Sequence, residues 1–183
     1  MDGGTVGRGS ERLEPMPAYP EWPRYSSLPF PPYRYVPGIH PHPRRHANGH
    51  SYGRPEPVAT ANIVEQWPRS DVYLFGVDLY NFAFWWECHE VFEAFWRADP
   101  QTEHGRFFQG LIHVAGANLK VCMGNHQARD RMLRTALARL ESLPAIYMGM
   151  AVRVLESDVR AYAEGARKAP PLIRLQLPCG GPT

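Results

Sequence analysis

The chain has 183 residues, of which 44% are hydrophobic and 21% charged; this suits one globular domain and is too short for two ordinary ones. A formal charge of +2 argues against a strongly basic nucleic-acid binder on bulk charge. Cys88, Cys122 and Cys179 stand far apart with no C-x-x-C pair, so neither a disulfide framework nor a cysteine zinc site is expected, and a reducing cytoplasm fits best.

No stretch approaches the roughly 18 apolar residues that span a bilayer, and the first residues lack an apolar signal core. No membrane partner is expected. Twelve of the 19 prolines fall in residues 1–57, interleaved with Tyr19, Trp22, Tyr25, Phe30, Tyr33, Tyr35 and Tyr52. Proline fixes φ and removes backbone donors, so this segment reads as extended or looped. Its aromatic side chains argue for partial order over a body, since disordered tails are usually poor in them. The expected division is an arm at 1–57, a helical domain at 58–175 and a flexible tail at 176–183.

Beyond Pro68 the pattern is helical. A first helix is expected over Asp71 to Phe82, with Asp71 capping or charging its start and Leu74, Val77 and Asn81 on one side. A second runs from Phe84 to Ala98 and stops before Pro100. The third, Glu103 to Met123, is apolar almost all round, which marks a central helix surrounded by others. Gly124 and Asn125 end it. A fourth spans His126 to Leu143, and a fifth Ala145 to Ala166 after Pro144. No segment reads as a strand. Short loops imply antiparallel neighbours, hence an all-α, compact bundle of about five helices.

The sharpest chemistry lies in WECHEVFEAFW, Trp86 to Trp96. His89 and Glu93 are one helical turn apart on one face, and Glu90 lies on the adjoining edge. On the third helix Gln109, His113, Gly116 and Lys120 form a polar strip, and Gly116 lets a neighbour approach. Imidazole and carboxylate from facing helices are the ingredients of a bundle metal site for Zn, Mn, Fe or Ni. The expected ligands of a divalent ion are His89, Glu93 and His113. Glu90 and Glu87 are the candidate proton-transfer carboxylates for a hydrolysis in which the ion acidifies water. Glu87 lies about 160° round the helix from His89, so capping or an ion pair is its competing role. Trp86, Trp96, Gln109 and Lys120 are expected to line the pocket. The competing account is a buried polar network that fixes helix register.

The second helix resembles the E-x-H-E-x-x-E-x-x-W signature of the family called domain of unknown function 309. FFQGLIHVAGANLK, Phe107 to Lys120, is similar to that family's second signature helix, and YLFGVDLYN, Tyr73 to Asn81, to the segment leading into it. The resemblance covers about Tyr73 to Leu140. PPYRYVPGIHPHPRRHANGHSYG resembles an extension found in a subset of bacterial members. The resemblance implies a small all-helical fold and the label of a metal-dependent hydrolase. It points to Glu87, His89, Glu90, Glu93, Trp96, Gln109 and Gly110, with His113 standing where many members have Gln.

Four histidines, His40, His42, His46 and His50, crowd the arm. Of these, His40, His42 and His50 are candidates to reach the bundle site as part of a lid, against the alternative of a basic surface loop. Ser51 beside His50 makes no nucleophile pair on sequence alone, because neither a third group nor an oxyanion hole is visible. Arg129, Arg131, Arg134 and Arg139 crowd the fourth helix, a third-ranked route to phosphate or nucleic acid. The functional expectation is a metal-dependent hydrolase of unknown small-molecule substrate. Its main alternative is a non-enzymatic helical module that binds a protein partner, and the oligomeric state is left open.

Overall fold

The computed structural model describes residues 12–58 and 63–178, Ile63 by its backbone alone. Cys179 and most of the expected C-terminal tail lie outside the described residues.

A short helix α1 (Ile63–Gln66) continues into a 3-10 turn, Trp67–Arg69. Ser70, rather than Asp71, caps α2 (Asp71–Asn81): its hydroxyl accepts the Tyr73 N–H, while Asp71 sits in the first turn where its charge opposes the helix dipole. Two residues past the end of α2, Ala83 is left-handed at φ 65°, and the Phe84 N–H returns to the Leu79 carbonyl at 2.8 Å. That tight reversal lays α3 (Trp85–Ala98) back against α2. Helix α4 (Glu103–Cys122) starts at the Thr102 cap and α5 (His126–Leu140) at the Asn125 cap. Gly105 stands so close to the preceding loop that a Cβ would come within 2.4 Å of the Asp99 carbonyl oxygen.

The expected fifth helix is shorter than its pattern suggested. Residues 146–151 instead form a two-stranded antiparallel hairpin, β1 (Ile146–Tyr147) and β2 (Met150–Ala151), before α6 (Val152–Ala163). This corrects both the helix start at Ala145 and the expectation of no strand. Met148 and Gly149 are both left-handed, at φ 45° and 72°, as a two-residue hairpin turn of the primed type requires. Gly149 also accommodates Trp67, which would lie 2.1 Å from a Cβ there. Among the described residues the regular structure is helical apart from this hairpin, while residues 12–58 are turns and extended chain with an isolated bridge.

Helix α4 is central. It packs against α3 on one side and α5 on the other, and Phe107, Phe108, Leu111, Val114, Ala115 and Ala117 are all buried. Phe108 stacks on Phe95 with ring centroids 4.8 Å apart and meets Tyr73 edge-on at 6.1 Å. Each fully buried side chain of this size contributes about 1.5–3 kcal/mol by leaving water. Gly110 and Gly116 face α5, where Leu140 and Met132 fill the space a Cβ would need. The small residue in the polar strip thus admits Met132 rather than a ligand.

The arm packs on this body along most of its described length. The Leu13 N–H reaches the Cys122 carbonyl at the end of α4. Phe30 stacks on Phe84 at 4.8 Å, and Val36 is wholly buried within the core. The chain beyond α6 returns to α2, where Asn81 exchanges two 2.9 Å hydrogen bonds with the backbone of Ile173. The Gln176 N–H then reaches the Gly149 carbonyl, tying this stretch to the hairpin.

Candidate functional site

Helix α3 presents two faces with different chemistry. On one, the ligand atoms of His89, Glu90 and Glu93 all lie within 4.8 Å of one another, each side chain half-buried. Nδ1 of His89 is 3.8 Å from Glu90 Oε1 and 3.9 Å from Glu93 Oε2, too long for hydrogen bonds but close enough for attraction. Nδ1 is buried without a hydrogen-bond partner among the described residues. Both carboxylates are engaged on their outer oxygens: Glu90 Oε2 accepts from Arg44 Nε of the arm at 3.2 Å, and Glu93 Oε1 pairs with Arg97 at 3.0 Å.

Electrostatics keep this face poised. Burial alone would raise the Glu90 carboxyl, but the neighbouring His89 and Arg44 outweigh it and hold the group below its ordinary value. His113, from α4, is lowered by burial, with Arg139 and His89 adding like-charge repulsion. It is therefore a neutral imidazole at pH 7, and its Nδ1 is also buried without a partner. His113 does not belong to the compact three-residue group.

The other face of α3 belongs to Glu87, one of the few buried carboxylates. Its Oε1 accepts the Tyr35 N–H at 3.0 Å and lies 3.0 Å from Nε2 of His50. The carboxylate expected to assist hydrolysis thus clasps the arm. Asp78 on α2 does the same further along: its two oxygens accept the Tyr25 N–H at 2.8 Å, the Ser26 N–H at 2.9 Å and Arg24 Nε at 3.3 Å. Burial raises the Asp78 carboxyl in spite of these donors. The sequence reading did not single out Asp78; the only available signal was an acid inside an otherwise apolar helix, and its partners lie more than 50 residues away.

The remaining expected residues disperse. Trp86 meets Tyr35 edge-on at 5.3 Å and His42 at 5.4 Å, so it seats the arm. Trp96 packs partly buried against the core, Gln109 is half-buried, and the Lys120 ammonium lies 3.9 Å from Met123 Sδ. Of the arm histidines, His40 pairs with Glu14 at 3.2 Å and His50 turns to Glu87. His42 accepts the Arg44 and Arg45 N–H groups on Nδ1, and burial first, then Arg45, lowers its pKa. It is Arg44, rather than a histidine, that the arm brings onto the cluster.

A concavity of about 310 Å³ lies elsewhere, between α5 and α6, lined by Asp130, Arg134, Leu137, Arg160, Ala163 and Glu164. It shares no residue with the His/Glu cluster, and its mixed charges do not single out an anion. Arg129 is committed to Asp130 and to the ring and carbonyl of Tyr162. The first cation of the arginine-rich helix is therefore spent within the fold. No described helix is long and apolar enough to cross a membrane.

No curated protein matches the chain. The cluster, the Glu87 clasp and the polar strip of α4 all lie on the stretch from α2 to Met132 of α5, and residues 73–132 match the family model described as Domain of unknown function (DUF309), the family this part of the chain resembles.

Proposed function

We propose that the protein binds one divalent metal ion through His89, Glu90 and Glu93 and uses it in hydrolysis. The observation that carries the reading is the convergence of one imidazole and two carboxylates within 4.8 Å on a half-buried helix face. The donor set fits: oxygen and nitrogen ligands of this kind suit Zn, Mn, Fe or Ni. The unpartnered Nδ1 of His89 offers a lone pair or a proton that the protein itself leaves unused. Arg44 and Arg97, on the outer carboxylate oxygens, would orient the two glutamates as second-layer partners do in metal sites. His113, neutral, with an unpartnered Nδ1 and electrostatically coupled to His89, is a further donor on α4. When bound, such an ion polarises a carbonyl or phosphoryl oxygen and acidifies water. Trp86 and the arm exclude solvent from one flank of the same helix.

Elemental analysis of protein made without a His-tag and equilibrated with Zn or Mn tests the site. About one ion per chain is expected, with affinity lower in His89→Ala and Glu93→Gln by more than the roughly 10–100-fold that loss of an outer-layer partner costs. Metal well below one per chain, or unchanged in both variants, overturns it. Ester and phosphoester hydrolysis that disappears with chelator, at unchanged thermal stability, tests the second clause.

A second reading has its own support. Each glutamate of the cluster already carries a guanidinium, so the group is close to neutral without an ion. In that reading the cluster locks arm and helix together and the protein is a binding module. Metal analysis separates the two.

A further inference from the structure

We propose that Ser51 is a nucleophile primed by His50 and Glu87, able to take an acyl group from an activated ester. Glu87 Oε1 lies 3.0 Å from His50 Nε2 and also accepts the Tyr35 N–H at 3.0 Å. The Glu87 oxygen that accepts the Tyr35 N–H faces Nε2 as an acceptor too, so Nε2 is the donor and Nδ1 presents its lone pair. Ser51 Oγ lies 2.8 Å from that Nδ1; its O–H must donate. Hydroxyl, imidazole and buried carboxylate therefore stand in relay order, with the ring nitrogens exchanged relative to the usual serine triad. The sequence offered only the adjacent Ser51 and His50. The fold supplies the third group from a helix 37 positions away.

The relay is held firmly and remains within reach. The side chains of His50 and Glu87 are only 4% and 5% exposed. The Tyr33 hydroxyl accepts the His50 N–H at 3.2 Å, and the Tyr33 ring lies 4.7 Å from the imidazole. The Ser51 N–H is fixed on the Pro43 carbonyl at 3.1 Å. Ser51 itself is half-buried beside exposed Tyr52, Gly53 and Arg54, which leaves a small reagent an approach from solvent.

In the reaction, Ser51 Oγ attacks the ester carbonyl carbon and its proton passes to Nδ1 of His50. The bond to the leaving phenolate then breaks with its electron pair, and the imidazolium returns the proton to that phenolate. The net change is an aryl ester and a serine giving an acyl-serine and a phenol. The Ser51 and Tyr52 N–H groups are already spent on the Pro43 and Gly49 carbonyls, so neither serves as an oxyanion donor. Stoichiometric acylation is accordingly expected rather than rapid turnover. None of these atoms belongs to the His89 cluster, and the chemistry is independent of metal.

The test uses the full chain with p-nitrophenyl acetate, with and without chelator, reading nitrophenol release and the acetylated peptide by mass spectrometry. Acetylation of Ser51 is expected at least about 100-fold faster than that of exposed Ser157, the lower end of what a positioned general base confers. Chelator should leave it unchanged. Ser51→Ala removes the label and His50→Ala slows it to the Ser157 rate. Glu87 is a positioning residue: Glu87→Gln, whose amide oxygen still accepts from Nε2, should retain most labelling while Glu87→Ala loses it. Should Glu87→Ala loosen the arm, the comparison of Ser51 with Ser157 within the unaltered chain still decides. Equal labelling of the two serines, acetyl found elsewhere but not on Ser51, or no effect of His50→Ala overturns the proposal.

Discussion

The two faces of α3 carry similar residues to different ends. Glu87 is buried, and its Oε1 receives both a backbone N–H and an imidazole. His89, Glu90 and Glu93 are half-buried, and the imidazole stands 3.8 and 3.9 Å from the two carboxylates without a hydrogen bond to either. What separates them is the arm. Where it covers the helix, Glu87 becomes a structural clasp through Oε1, with Oε2 buried and unpartnered among the described residues; where it offers only Arg44 at the edge, the carboxylates turn their inner oxygens toward His89. A polar residue on a helix is thus read by how completely its neighbours use it, more than by its type.

The most severe way to break the contrast is to remove the arm. Deleting residues 1–57 takes Val36 and Tyr35 out of the core, strips Asp78 and Glu87 of their donors and uncovers the apolar surface around them. With a typical domain stability of about 5–15 kcal/mol, loss of a cooperative thermal transition by near-ultraviolet circular dichroism is expected. A truncated body melting within a few degrees of the full chain would show that the arm is only a cover.

Glu87→Ala probes a single clasp. It leaves the Tyr35 N–H and the His50 ring unpaired in a buried setting, so a loss of about 2–4 kcal/mol is expected in urea unfolding. Glu93→Ala, on the half-buried face, should cost less than half as much.

Acid sharpens the comparison from the histidine side. His42, His104 and His113 all have pKa values lowered by burial from the ordinary 6.5. The unfolded chain therefore binds more protons than the folded one once pH drops below about 6.5, and stability falls with pH through that window. The melting temperature should be lower at pH 5.5 than at pH 7.5. A flat or rising profile would contradict neutral, half-buried rings at these positions.

The smallest effect on stability belongs to Arg97→Ala. Arg97 is 57% exposed, and an exposed pair of this kind contributes within about 0.5 kcal/mol. The same change frees the outer oxygen of Glu93, so metal affinity should shift while the urea midpoint hardly moves. That split separates a ligand cluster from a simple structural network.

Much of the body was legible in the sequence. The heptad-like spacing and the Ser, Thr and Asn residues before α2, α4 and α5 mark helices by local rules of burial and capping, and four of the five expected helices lie close to their predicted bounds. The spacing of His89, Glu90 and Glu93 is a property of any helix, so their convergence followed from the sequence as well. The hairpin at 146–151 was missed because its turn depends on left-handed Met148, which no local rule favours, and because Trp67 packs over Gly149 from far upstream.

The partners of the two buried carboxylates could not be read in advance. Tyr25 and Ser26 meet Asp78, and Tyr35 and His50 meet Glu87, across separations that no helical or strand period encodes. The sequence by itself determined where α2 to α5 begin, which faces are apolar and which three side chains share a turn, because these depend on neighbours within about four residues. Only the tertiary structure decided which carboxylate the arm would close over and that Ser51, His50 and Glu87 would meet, because a buried acid takes whatever donors the packed chain brings to it.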